Sequence, residues 1–133
     1  MYLLLWSGKK AGEEGYHLAF LMIAIYYISD YFDVEGLPGK AKYKRAIQIL
    51  NILFNFKLRE YDHDIIMAWI GNAYKKLGLI EDAYEYYVKA GLEGLYYLYL
   101  YYYDKKNFKA ADKMYADYKM VSHADPGGIY FDL

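Results

Sequence analysis

The stretch GLYYLYLYYYD, residues 94–104, decides the fold of this chain. Six of the eight residues from Tyr96 to Tyr103 are tyrosine. Three readings compete for it. Aromatic residues favour strands. Tyrosine rings on a basic groove can stack nucleic-acid bases. A helix built largely from tyrosine is the third. The flanks bear on the choice. Upstream, a helix over about Ile80 to Ala90 opens with Glu81 and Asp82 and stops at Gly91. Downstream, Phe108 to Val121 reads as another, with Asn107 as its N-cap. The strand reading stays open on propensity, but no partner strand is visible elsewhere. As a helix, the stretch turns Leu95, Leu98, Tyr99 and Tyr102 inward and sets Tyr96, Leu100 and Tyr103 on a second apolar face.

Composition narrows the class. A chain of 133 residues is one domain or one short repeat array, and 57% hydrophobic with 25% charged residues is globular. Its 20 tyrosines fill volume as phenylalanine does, while each keeps a hydroxyl that needs a partner or water. With no cysteine, disulfides, thiolate metal sites and a cysteine nucleophile are excluded. Scarce amides (Gln48 is the one glutamine) beside plentiful lysine and acid suit a heat-adapted intracellular protein. The formal net charge of −1 supplies no long-range pull toward nucleic acid or anionic membrane. The apolar run Leu18 to Ile28 is shorter than the roughly 20 residues a membrane span needs, so it reads as a core helix. The opening MYLLLW lacks a basic leader and a small-residue cleavage site, and the expected location is cytoplasmic.

The rest of the chain is punctuated by two prolines, in DVEGLPGK (33–40) and HADPGG (123–128). Helical periodicity runs over about Glu13 to Tyr31, then Ala41 to Leu58, where Lys44, Gln48, Asn51, Asn55 and Arg59 form one polar line. A third helix is expected from about Asp64 to Leu77. Lys75 and Lys76 suit its negative end, and Gly78 can take a left-handed cap.

A pattern recurs along these helices. Met67, Ile70, Gly71 and Tyr74 are followed by Ala83 and Tyr87. With the same internal spacing, Leu95, Leu98, Tyr99 and Tyr102 are followed by Ala111 and Tyr115. Phe20, Ile23, Ala24 and Tyr27, then Ala46 and Leu50, give an earlier copy, its gap widened by the Gly-Pro loop. The spacing predicts paired helices in which small residues let the backbones approach and aromatics fill the surrounding space. One such pair cannot bury its own apolar face, so several must stack.

The segment MAWIGNAYKKLGLIEDAYEYYVKA (67–90) resembles the tetratricopeptide repeat: Gly71, Tyr74, Gly78, Ala83, Tyr87 and Ala90 fall on consensus positions. Met67 stands where tryptophan is usual, the closing proline is missing, and Tyr99 takes a small-residue position. The copies open at Phe20, Met67 and Leu95, an uneven spacing where the family keeps a constant period. The resemblance covers about residues 16–121. It implies an all-α fold, a short right-handed α-solenoid of about three antiparallel helix pairs (about 13–58, 64–91 and 93–121) with a C-terminal tail at 122–133. It also implies a concave, peptide-binding surface lined by the first helix of each pair. Here that surface would expose Asn72, Lys75 and Lys76, with Tyr96, Tyr97 and Tyr103 from the tyrosine helix. Asn72 matches an asparagine of peptide-clamping members, but Leu21, Ile25 and Tyr97 stand where the other clamp residues would be, which favours an apolar or aromatic ligand over an acidic tail.

Other candidate chemistry is sparse. From Lys40 to Arg59 there are six cations and no acid, and Lys40, Lys42, Lys44 and Arg45 form the candidate phosphate-binding cluster of a nucleic-acid-binding alternative. In EYDHD (60–64), read as an extended loop, His63 and its aspartates point apart, so no metal site is expected. His123 has no carboxylate or histidine companion at helical spacing. No phosphate loop, nucleophile elbow or paired catalytic acids occur. The expectation is a non-enzymatic interaction module without cofactor. Its partner is a protein or peptide, or a second copy in a homo-oligomer, held on the aromatic helical face.

Overall fold

In the computed structural model, residues 17–30, 39–56 and 60–124 are described, and they are all-α, with six helices and no strand among them. The helices are α1 (17–28), α2 (Ala41–Leu53), α3 (Glu60–Lys76), α4 (Ile80–Lys89), α5 (Leu95–Asp104) and α6 (Phe108–Ala124), with a 3-10 turn at Gly91–Gly94. The tyrosine stretch is therefore a helix. The segments 13–16, 31–38, 57–59 and 125–133, with the start of the first expected helix, the Gly-Pro loop and most of the tail, lie outside the described residues; the second helix, expected to reach Leu58, ends at Leu53, and residues 54–56 form a turn.

Two differences from the sequence reading stand out. Glu60 to Asp64 is the first turn of α3, not an extended loop. Its first-turn acids suit the positive end of a helix, and that outweighs the loop signal of alternating charges. The inward face of α5 is also different. Tyr97 and Leu98 are its buried residues, whereas Leu95, Tyr99 and Tyr102 are half-buried. The cause is that α5 is covered from two directions, by α4 and by α6, so neither apolar face wins outright.

The most enclosed helix is α3. Ile66, Trp69, Ile70 and Ala73 join Ala24, Ile28, Ala46, Leu50 and Leu53 in a core shared with α1 and α2. Ala68 turns to a second core with Ala83, Tyr87, Ala90, Tyr97 and Leu98 from α4 and α5. A helix buried on most of its circumference needs partners on every side, and α3 has them. Pair contacts follow the small residues. Ala83 and Ala111 are essentially inaccessible. A Cβ at Gly71 would stand 2.6 Å from Cε1 of Tyr87, so that ring lies directly across α3. A Cβ at Gly94 would overlap the backbone carbonyl oxygen of Tyr87.

The recurrence between the last two helix pairs extends to the turns. After α3, the Gly78 amide donates to the Lys75 carbonyl (3.0 Å) and the Leu79 amide to Tyr74 (2.9 Å); after α5, the Lys106 amide donates to Tyr103 (3.0 Å) and the Asn107 amide to Tyr102 (2.9 Å). These are the two bonds of a Schellman cap. Gly78 takes the left-handed position with φ +83°, and Lys106 takes the equivalent one with φ +61°. Asn107 then caps α6, its Oδ1 accepting from the Ala110 amide at 3.3 Å.

Gly94→Ala should therefore lower unfolding free energy by about 3 kcal/mol in urea titrations, because backbone must move to admit the methyl. Lys106→Gly should act oppositely and raise stability by about 1 kcal/mol, since glycine carries no Cβ penalty in that conformation.

Candidate binding cleft

Tyr87 sits where α3, α4 and α5 meet. Its ring stacks on Tyr97 with centroids 5.2 Å apart, and its hydroxyl donates to Asn72 Oδ1 at 2.7 Å. Burial pushes the Tyr87 hydroxyl pKa far upward, so it stays a neutral donor. Beside this stack opens a cleft of about 260 Å³. Ile80, Ala83, Tyr87 and Tyr97 form its apolar floor, and Lys75, Tyr101, Asp104 and Lys105 its more polar edge. Lys105 is already occupied: Nζ pairs with Glu81 at 3.0 Å and lies over the Tyr101 ring, 5.6 Å from its centroid. Tyr101 donates to the same carboxylate at 3.0 Å. Those two hydrogen bonds, Lys105's first, hold Glu81 below its ordinary pKa, and Glu81 in turn raises Lys105. Lys75 forms no ion pair among the described residues. It is the cation of the edge left to meet a ligand.

Of the residues expected at a partner surface, Lys75 and Tyr97 reach this cleft. Asn72, expected to be exposed, is 1% accessible; it lies beneath Tyr87 and its Nδ2 is buried without a hydrogen-bond partner. The position faces the packed core of α3, so asparagine there orients Tyr87 and cannot touch a partner. Tyr97 is itself 7% accessible and offers only an edge of its ring to the cleft floor. Lys76 points away and pairs with Asp30 at 3.2 Å. Tyr96 packs on Tyr118 of α6, centroids 5.2 Å apart, and Tyr103 lies on Phe108 at the exposed end of α5. Tyr101 escapes the sequence reading, although it stands four residues after Tyr97 on the same stripe. Ile80 and Ala83 escape it because they lie on α4, whereas the repeat pattern assigns the surface to the first helix of each pair alone.

The basic cluster does not form one surface. Lys42 is buried and bound to Asp30, Lys40 donates to the Leu77 carbonyl at 3.3 Å, and Arg45 donates to Gln48 at 3.1 Å. Lys44 is exposed on the polar line of α2, with Gln48 and Asn51. Asp30, in a left-handed conformation (φ +57°) after α1, gathers Lys42, the Tyr43 hydroxyl (2.8 Å) and Lys76, and so ties α1, α2 and α3 together. Burial alone would raise its pKa; the bonds from Lys42, Tyr43 and Lys76 prevail and hold it at about 2.

Among the described residues, no group of three or more histidine, aspartate and glutamate side chains could hold a metal ion, and no helix is long and apolar enough to cross a membrane. No known protein family, curated protein or solved structure matches the chain.

Because Asp30 is depressed, its contribution is present above the unfolded carboxyl value near 4 and is lost as pH falls toward about 2. Asp30→Asn should cost about 1 kcal/mol at pH 7, discounted for partial exposure. The gap to the parent should close as both are titrated in urea from pH 5 to pH 2.

Proposed function

We propose that this chain is a non-enzymatic interaction module that receives a segment of a partner protein in the cleft between α3, α4 and α5. An apolar or aromatic side chain of the segment lies against Ile80, Ala83 and the Tyr87–Tyr97 stack, and an acidic group next to it meets Lys75. The observation that carries this reading is the composition of the cleft: an apolar floor fixed by a buried tyrosine stack, with one cation at its edge that no carboxylate of the described chain neutralises. Sites of this kind bind through the apolar floor and take orientation from the few polar groups.

The finer architecture belongs to the same proposal: a tetratricopeptide-like array of three antiparallel helix pairs wound as a right-handed solenoid. Its support is the recurrence of small residues, aromatics and Schellman caps, in the same order, across the last two pairs. The alternative, nucleic-acid binding through Lys40, Lys42, Lys44 and Arg45, is weakened because Lys42 is buried and bound to Asp30, which breaks up the cluster.

Selection of phage-displayed peptides on the full chain tests the proposal. The expected peptides pair an aromatic or large aliphatic residue with a neighbouring acid. Lys75→Glu and Ile80→Glu, both at exposed positions, should each weaken them by about tenfold or more. Selected peptides indifferent to both substitutions would remove the cleft from consideration. Low-salt binding of a labelled single-stranded oligonucleotide, lost on Lys44→Glu, would favour the alternative.

A further inference from the structure

The contact between the second and third helix pairs has a receiving side and an inserting side. On the receiving side, α4 presents Ile80, Tyr84 and Tyr87. On the inserting side, α5 presents Tyr97 and Tyr101, which meet Tyr87 and Tyr84 at ring distances of 5.2 and 4.6 Å. The Tyr84 and Tyr102 hydroxyls join at 2.9 Å, and Glu81 holds Lys105 across the contact.

The chain carries each side once more. The register that aligns Met67 with Leu95 takes the receiving stripe to Phe108, Asp112 and Tyr115 on α6, and takes Lys75 to Tyr103. Phe108, Tyr103 and Tyr115 are 52%, 53% and 39% accessible. The register that aligns Leu95 with Phe20 takes Tyr97 and Tyr101 to Met22 and Tyr26 on α1. These are exposed as well, with Leu18 one turn before them. The two ends of the described chain thus present the two halves of a contact that its middle already makes.

The polar pairs transfer too. Glu81 and Lys105 become Lys109 and Asp30, opposite in sign, but Asp30 is held within its own copy by Lys42, Tyr43 and Lys76 and adds little to the contact. Tyr84 and Tyr102 become Asp112 and Tyr27, an acceptor facing a phenol in place of two hydroxyls. A helix end meant for water would not be expected to keep exposed apolar residues at the positions that the middle contact uses. Exposed apolar stripes of this kind mark interaction surfaces.

We propose that copies of this chain associate head to tail: the Leu18–Met22–Tyr26 stripe of one copy seats on the Tyr103–Phe108–Tyr115 face of the next. The contact is heterologous. Unless a rotation closes it, it propagates into rows. It uses neither Lys75 nor Ile80, so it stands or falls apart from the cleft.

The test uses full-length protein in sedimentation velocity across a concentration series. The parent should grow past dimer as concentration rises. Met22→Glu blocks the inserting end and Phe108→Glu the receiving end; both positions are exposed, and circular dichroism checks that the helices persist. Should Met22→Glu fail to fold, Leu18→Glu replaces it. Each variant alone should remain monomeric where the parent assembles, an association weaker by about tenfold or more. Mixed in equal amounts, the two should form a one-to-one dimer and nothing larger, because each keeps one intact end. A parent that stays monomeric up to its solubility limit overturns the proposal. So does a mixture of the variants that fails to pair, or a dimer that survives Met22→Glu and is lost only in Phe108→Glu, since that pattern belongs to a symmetric α6 contact.

Discussion

The seat of Tyr87 is the constraint on which the arrangement of the last four helices depends. Its ring crosses α3 at Gly71, where a Cβ would stand 2.6 Å from ring carbon, and its other face stacks on Tyr97. Its hydroxyl is satisfied by Asn72, and Gly94 lies so close to its carbonyl that no side chain fits between. One residue of α4 therefore fixes the approach of α3, the 3-10 turn and the start of α5. Burying a phenol this deeply is tolerable because its one donor is paired. The unpartnered Nδ2 of Asn72 is the residual polar cost of that pairing.

The last helix pair shows what happens when the seat is altered. Tyr99 occupies the place of Gly71, and the counterpart of Tyr87, Tyr115, is packed against it with centroids 5.0 Å apart. Without a glycine gap the ring cannot cross the neighbouring helix, and its exposure rises from 2% for Tyr87 to 39% for Tyr115. Tyrosine suits this half-buried position better than phenylalanine, because a ring wetted on one side can keep its hydroxyl in water. Rings that would be core elsewhere are held at the boundary of the protein.

Much of the architecture was legible in the sequence because it rests on short-range rules. Asn107 before Phe108, Gly78 after two lysines, and alanine at the crossings each have a local physical meaning, and the elements follow them. What escaped was set by the surroundings. The acids of Glu60 to Asp64 look the same in a loop and in a first helical turn, and only the packing of α3 separates the two. Lys42 reads as one cation of a surface cluster until Asp30, from another part of the chain, is seen to bind it. Asn72 resembles a ligand contact because its type matches a clamp, whereas its face of α3 is the buried one. In the cleft, Lys75 and Tyr97 could be named from what the repeat resemblance implies. Ile80 and Ala83 could not, because they lie on α4, and that resemblance puts the surface on the first helix of each pair.

The sharing of α3 between two cores has a consequence for how the molecule comes apart. Helices α1 and α2 rest on one side of it and α4 and α5 on another, so neither half can lose its packing without exposing the helix that the other half needs. These five helices are expected to open as one cooperative unit, since both cores include α3. Helix α6 packs chiefly on α5 and is joined to it through a left-handed lysine, so it belongs to the low-free-energy end of local opening. The structure is thus graded in persistence from a common centre to a single outer rod, and the surface it offers at that end is also its most readily released.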